Sequence, residues 1–135
     1  MVKLKTIWRL EADKKTPDSL RALFKQWQIY ALNVAWANPE GIKSAGVWRS
    51  VNTMLAPDTI SRASVILFLN KLVDGDVLDY EEKTGKGGYH RVYRPAMTWT
   101  EFEDLVIWKF IEKLMLIFPE KDSLREKAER LKVQA

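Results

Sequence analysis

Cysteine is absent from the 135 residues, and histidine occurs once, at His90. Without thiols there is no disulfide framework, no cysteine nucleophile and no zinc finger. A lone imidazole leaves too few soft ligands for a transition-metal site, so no metal is expected. The sequence also lacks a nucleophile elbow, a phosphate-binding glycine loop and a Glu-flanked histidine pair. Glu101, Glu103 and Asp104 fall in one helix's first turn, where acids favour the dipole, and Glu81 and Glu82 fall on opposite faces of a strand. They form no catalytic pair, so neither an enzyme nor a cofactor is expected. No uncharged apolar run reaches the ~18 residues of a membrane helix. The start, Met1-Val2-Lys3-Leu4-Lys5, has no signal-peptide apolar core. A soluble cytoplasmic protein without a membrane partner is the expectation.

What is present is a modest basic excess, +4 at pH 7, and six tryptophans. Lys and Arg exceed acids over residues 1–60, and the two nearly balance after Pro95. Such charge is compatible with nucleic acid without being diagnostic. The length is that of one domain able to bury a real core.

Local signals divide the chain. Residues 2–10 read as a strand or an irregular arm. Thr16-Pro17-Asp18 is helix-start chemistry, followed by Leu20, Leu23, Phe24, Trp27, Ala31 and Val34 at helical spacing. Asn38-Pro39-Glu40-Gly41 is a turn. Ser44 is read as the cap of a second helix with Val47, Trp48, Val51 and Leu55 inward, broken by Ala56-Pro57-Asp58-Thr59. Ser61 caps a third, with Val65, Phe68, Leu69 and Leu72 inward and Gly75 in a left-handed stop. Val77–Glu82 and Tyr89–Arg94 read as hairpin strands joined by Gly85, Gly87 and Gly88. Thr98-Trp99-Thr100-Glu101 is a capping box for a long helix ending before Pro119. The apolar residues of that helix spread over more than one face, which predicts a partner chain. A last helix, from about Asp122 to Val133, carries Leu124, Ala128 and Leu131 among charges.

Taken in order, the segments Val47-Trp48-Arg49-Ser50-Val51-Asn52, Ile60-Ser61-Arg62-Ala63-Ser64-Val65 and Gly87-Gly88-Tyr89-His90-Arg91-Val92-Tyr93-Arg94 resemble winged helix-turn-helix transcriptional regulators. The similarity is to the penicillinase-repressor (BlaI/MecI-like) and MarR-like groups. It covers residues 20–118 in layout, with quotable motifs only over 44–95. The resemblance implies a mainly α fold with a small β-hairpin wing and C-terminal dimerisation helices. It divides the chain into an arm (1–15), a winged-helix DNA-binding domain (16–97) and a helical dimerisation region (98–135). It further implies a homodimer on double-stranded DNA, with repression as the family default. By position, Arg62, Ala63, Ser64 and Asn70 would face DNA, Lys71 would lie near a phosphate, and Lys83, Lys86 and Arg91 would serve the wing. The sequence names no small-molecule effector.

Two features pull differently. Ile66 and Leu67 are apolar where such families place polar residues. They would pack on thymine methyls, meet a protein instead of DNA, or belong to the core if the register is off by one. A winged-helix protein-interaction module is therefore the rival. Asp79, Glu81 and Glu82 also weaken the positive field of the first wing strand. Trp27, Trp48 and Trp108 read as packing residues. Trp8, Trp36 and Trp99 have no assigned place, and His90 reads as structural.

Overall fold

The computed structural model describes residues 23–120 and 122–134. In chain order its elements are α1 (Gln26–Ala37), β1 (Ile42–Lys43), α2 (Ser44–Leu55), α3 (Arg62–Asp74), β2 (Leu78–Gly85), β3 (Gly88–Pro95), α4 (Trp99–Ile117) and α5 (Asp122–Gln134). The protein is mainly helical, with one antiparallel sheet in the order β1-β3-β2. One compact unit ends at Arg94 and a second begins at Pro95. The arm over residues 1–15, Trp8 and the helix start at Thr16 lie outside the described residues.

In the first unit, α1 packs on α2, α2 on α3, and α3 on β2. The core takes Ile29, Leu32 and Val34 from α1, Val47 and Val51 from α2, and Val65, Phe68, Leu69 and Leu72 from α3. Val77, Leu78 and Tyr93 complete it from the hairpin side. Burying each such aliphatic side chain contributes about 1.5–3 kcal/mol. Phe24 and Trp27 meet the Phe68 ring edge-on, with centroids 6.4 and 5.4 Å away.

Four local expectations need correction. Leu23 to Lys25 is not helical, so no single helix runs from Thr16 through Val34. The Gln28 side chain reaches back to accept the Lys25 N–H at 2.9 Å, closing a fresh helix start there. The cap of α2 is Lys43, and Ser44 is its first helical residue. Gly75 keeps an ordinary φ of −90°, and Asp76 takes the left-handed place with φ 61°. The Asp76 N–H donates to the Val73 carbonyl and the Val77 N–H to Leu72. That is a Schellman stop, and the two apolar residues at its ends, Leu72 and Val77, are both buried. Finally, the hairpin strands run further toward the tip than read, leaving Lys86 and Gly87 as the two-residue connection.

Strand β1 had no sequence signal. It pairs Ile42 with Tyr93 and Lys43 with Val92. Gly41 leads into it with φ +126°, and a β-carbon there would run into the Val92 side chain. Only glycine satisfies both demands.

In the second unit α4 packs on α5. The Thr98 Oγ1 accepts the Glu101 N–H, and the Glu101 carboxylate accepts the Thr98 N–H, both at 3.1 Å. The Thr98 backbone N–H, with help from its side chain, holds the Glu101 carboxyl below the ordinary glutamate range. Its contribution is therefore present above the ordinary pKa and is lost as pH falls through the lowered folded value. In an NMR titration Glu101 should titrate below the ordinary glutamate range, and Thr98→Ala should raise it only in part, because the backbone N–H that does most of the lowering remains. Along α4 only Phe102 and Ile111 are fully buried, while Ile107, Leu116, Ile117 and the following Phe118 are exposed. Leu124 and Ala128 of α5 lie outside the described side chains.

Candidate nucleic-acid interface

The connection from α2 to α3 is fastened by side chains of α2. Asn52 Oδ1 accepts the Ile60 N–H at 2.8 Å, while its Nδ2 donates to the carbonyls of Trp48 (3.1 Å) and Ile60 (3.3 Å). The Trp48 indole N–H also donates to the Ile60 carbonyl, at 2.9 Å. Ile60 is thus held at both backbone groups one residue before the cap of α3. Ser61 Oγ then accepts the Ser64 N–H at 3.1 Å and shares a 2.8 Å hydrogen bond with the Ser64 hydroxyl. An open depression of about 700 Å³ lies over this joint, bordered by Trp48, Arg49, Thr53, Thr59 and Ser61.

With α3 so anchored, its register is fixed. Val65, Phe68, Leu69 and Leu72 are buried, which rules out the one-residue shift considered for Ile66 and Leu67. Arg62, Ala63, Leu67 and Lys71 form the exposed face; Ile66 is half-buried. Ala63, Leu67 and Lys71 follow at steps of four and so line one stripe. No acid occurs between Arg62 and Val73. Leu67 is 64% exposed, the most open large apolar residue of the helix.

The eight residues proposed from sequence divide into two groups. Arg62, Ala63 and Lys71 are open on α3, and Lys83 and Lys86 are exposed at the hairpin. None of the four cations makes an ion pair or hydrogen bond among the described residues. The other three are engaged within the fold. Ser64 belongs to the α3 cap. Asn70 Oδ1 accepts from the Arg91 guanidinium (3.1 Å) and from the Tyr93 hydroxyl (2.8 Å). Arg91 also lies over the Tyr80 ring, 3.9 Å from its centroid. Asn70 and Arg91 therefore join the hairpin to α3, whereas the resemblance implied that Asn70 faces DNA and that Arg91 serves the wing. Burial pushes the Tyr93 hydroxyl above its ordinary range, against the lowering pull of Arg91.

The acids on β2 are partly answered. Arg94 reaches Asp79 and Glu81, each at 3.7 Å. Both pairs are exposed and worth little energy, but they offset part of the negative field that the sequence placed there. Two further exposed residues had no place in the sequence-derived set: Arg49 beside the α2–α3 joint, and Tyr89, 81% exposed near the hairpin tip. Neither carries a signal that composition or spacing could isolate. His90 lies across the hairpin over Gly85. Among the described residues no cluster of three His, Asp or Glu could hold a metal ion, and no helix is long and apolar enough to cross a membrane.

No family model matches the chain, and no curated protein matches it significantly.

Proposed function

We propose that this protein is a winged helix-turn-helix regulator of transcription that binds double-stranded DNA with sequence preference. The observation that carries the proposal is the exposed face of α3. It begins at Arg62, ends at Lys71, has no acid between them, and belongs to a helix tied to a hairpin with free Lys83 and Lys86. The element order helix–strand–helix–helix–strand–strand from α1 to β3 supports the same reading. In it α3 enters the major groove and the hairpin meets the backbone, with phosphate contacts supplying most of the affinity. Repression is the default outcome for regulators of the kind the sequence resembles, and a cytoplasmic, non-enzymatic role goes with it.

Titrating isotope-labelled protein with a mixed-sequence duplex should move amide signals of the first α3 turns and of residues 83–89. Shifts confined to α4 and α5, or none at low salt, would contradict the proposal. For a single wing contact, Lys86→Ala should reduce the slope of log affinity against log salt by about one unit. An unchanged slope removes Lys86 from the interface.

The regulator acts as a homodimer in this reading, supported by the apolar residues exposed along α4 and at Phe118. Sedimentation at micromolar concentration should give a dimer, and a monomer there would remove this part.

One observation favours a second reading. Leu67, exposed at the middle of the α3 face, also suits a protein-interaction module without DNA readout. Failure of every duplex to bind at low salt would select it.

A further inference from the structure

The inference rests on duplex binding and names what α3 would read. Two of the polar side chains expected to face DNA are engaged within the fold. Ser64 shares its hydroxyl with the Ser61 cap, and Asn70 Oδ1 is occupied by Arg91 and Tyr93. The exposed stripe that remains is Ala63, then Leu67 one turn on, with Arg62 before it and Lys71 after it. The ends of the stripe are cationic and its centre is apolar.

A stripe of that kind matches one surface in the major groove. The thymine 5-methyl is the groove's apolar group, and it stands among hydrogen-bonding base edges with phosphates on either side. A single exposed leucine needs no explanation by itself. Its position does, because it occupies the middle of an acid-free face whose flanking cations have no partner among the described residues. The same flanking charge disfavours an apolar protein groove as the occupant, since both ammonium and guanidinium would lose water there without gaining a counter-charge.

We infer that Leu67, assisted by Ala63, reads thymine 5-methyl groups in the major groove, while Arg62 and Lys71 hold the flanking backbone. Sequence preference then arises from methyl contact rather than from hydrogen bonds by Ser64 or Asn70.

The full-length chain is used to select duplexes from a random-sequence pool. The tightest is remade with deoxyuridine replacing each thymidine in turn, which deletes one methyl at a time. At one or two positions the loss should weaken binding roughly fourfold, the factor for removing a buried methyl from contact. The same replacement should be neutral for Leu67→Ala, which alters an exposed residue and leaves the fold intact, while Leu67→Met should retain much of the penalty. Deoxyuridine that is neutral at every position, with tight binding retained, overturns methyl reading but leaves DNA binding in place. A penalty that persists unchanged in Leu67→Ala overturns the assignment to Leu67. Failure to select any duplex, with no binding at low salt, overturns the duplex reading itself.

Discussion

Asn52→Ala is expected to lower the stability of the first unit by about 2–3 kcal/mol, moving a urea midpoint by roughly 1–2 M. Three half-buried hydrogen bonds disappear together: one accepted from the Ile60 N–H, and two donated to the carbonyls of Ile60 and Trp48. Each contributes about 1 kcal/mol net, and the cost rises where a partner is left without water. The Ile60 carbonyl keeps the Trp48 indole N–H, so the orphan is the Ile60 N–H. Trp48→Phe removes that remaining donor and should cost about 1 kcal/mol alone. Combined with Asn52→Ala it should cost more than the sum, because both side chains hold the same peptide group. Additive losses would mean that Ile60 is positioned by something other than this pair. The functional consequence follows from place: Ile60 precedes the Ser61 cap, so loosening it frees the N-terminal end of α3.

Arg62→Ala is expected to weaken duplex binding by about 1–3 kcal/mol while leaving stability unchanged or slightly raised. The two signs have one cause. Arg62 occupies the first position of α3, whose first turn contains no acid. A cation at the positive end of a helix dipole is mildly unfavourable, so removing it relieves the fold. The same placement adds its charge to the helix N-terminal N–H groups in attracting an anion. Comparing duplexes then tests the backbone role given to Arg62 above. A guanine contact makes the loss specific to one base position, and a phosphate contact makes it uniform across sequences. A merely structural Arg62 would instead lower stability and leave affinity alone; urea denaturation beside anisotropy distinguishes these outcomes.

Much of the first unit was legible because its signals are local or periodic. Val47 and Val51 on α2, and Val65, Phe68, Leu69 and Leu72 on α3, are buried as helical spacing requires. Ser61 and Thr98 cap as their chemistry dictates. Two-residue β1 could not be read, since two residues carry no period and its pairing depends on the distant Tyr93 and Val92. Asp76 displaced Gly75 from the left-handed position because the Schellman hydrogen bonds, with Leu72 and Val77 both buried, set the stop one residue later.

The candidate site was less legible for a related reason. Spacing places Ser64 and Asn70 near the accessible side of α3, but it does not tell an open side chain from an occupied one. Asn70 meets Arg91 and Tyr93 across 21 and 23 residues, so its fate depends on the hairpin's register against α3. The exposure of Leu67, by contrast, follows from α3's own period once the buried set is fixed.

The central claim is sequence-preferring duplex binding, and fluorescence anisotropy tests it most directly. A labelled duplex from the gene's own upstream region is compared with a scrambled duplex of equal composition across several salt concentrations. The account predicts tighter binding to the upstream duplex, with affinity for both falling as salt rises. No binding to either duplex at low salt would contradict it.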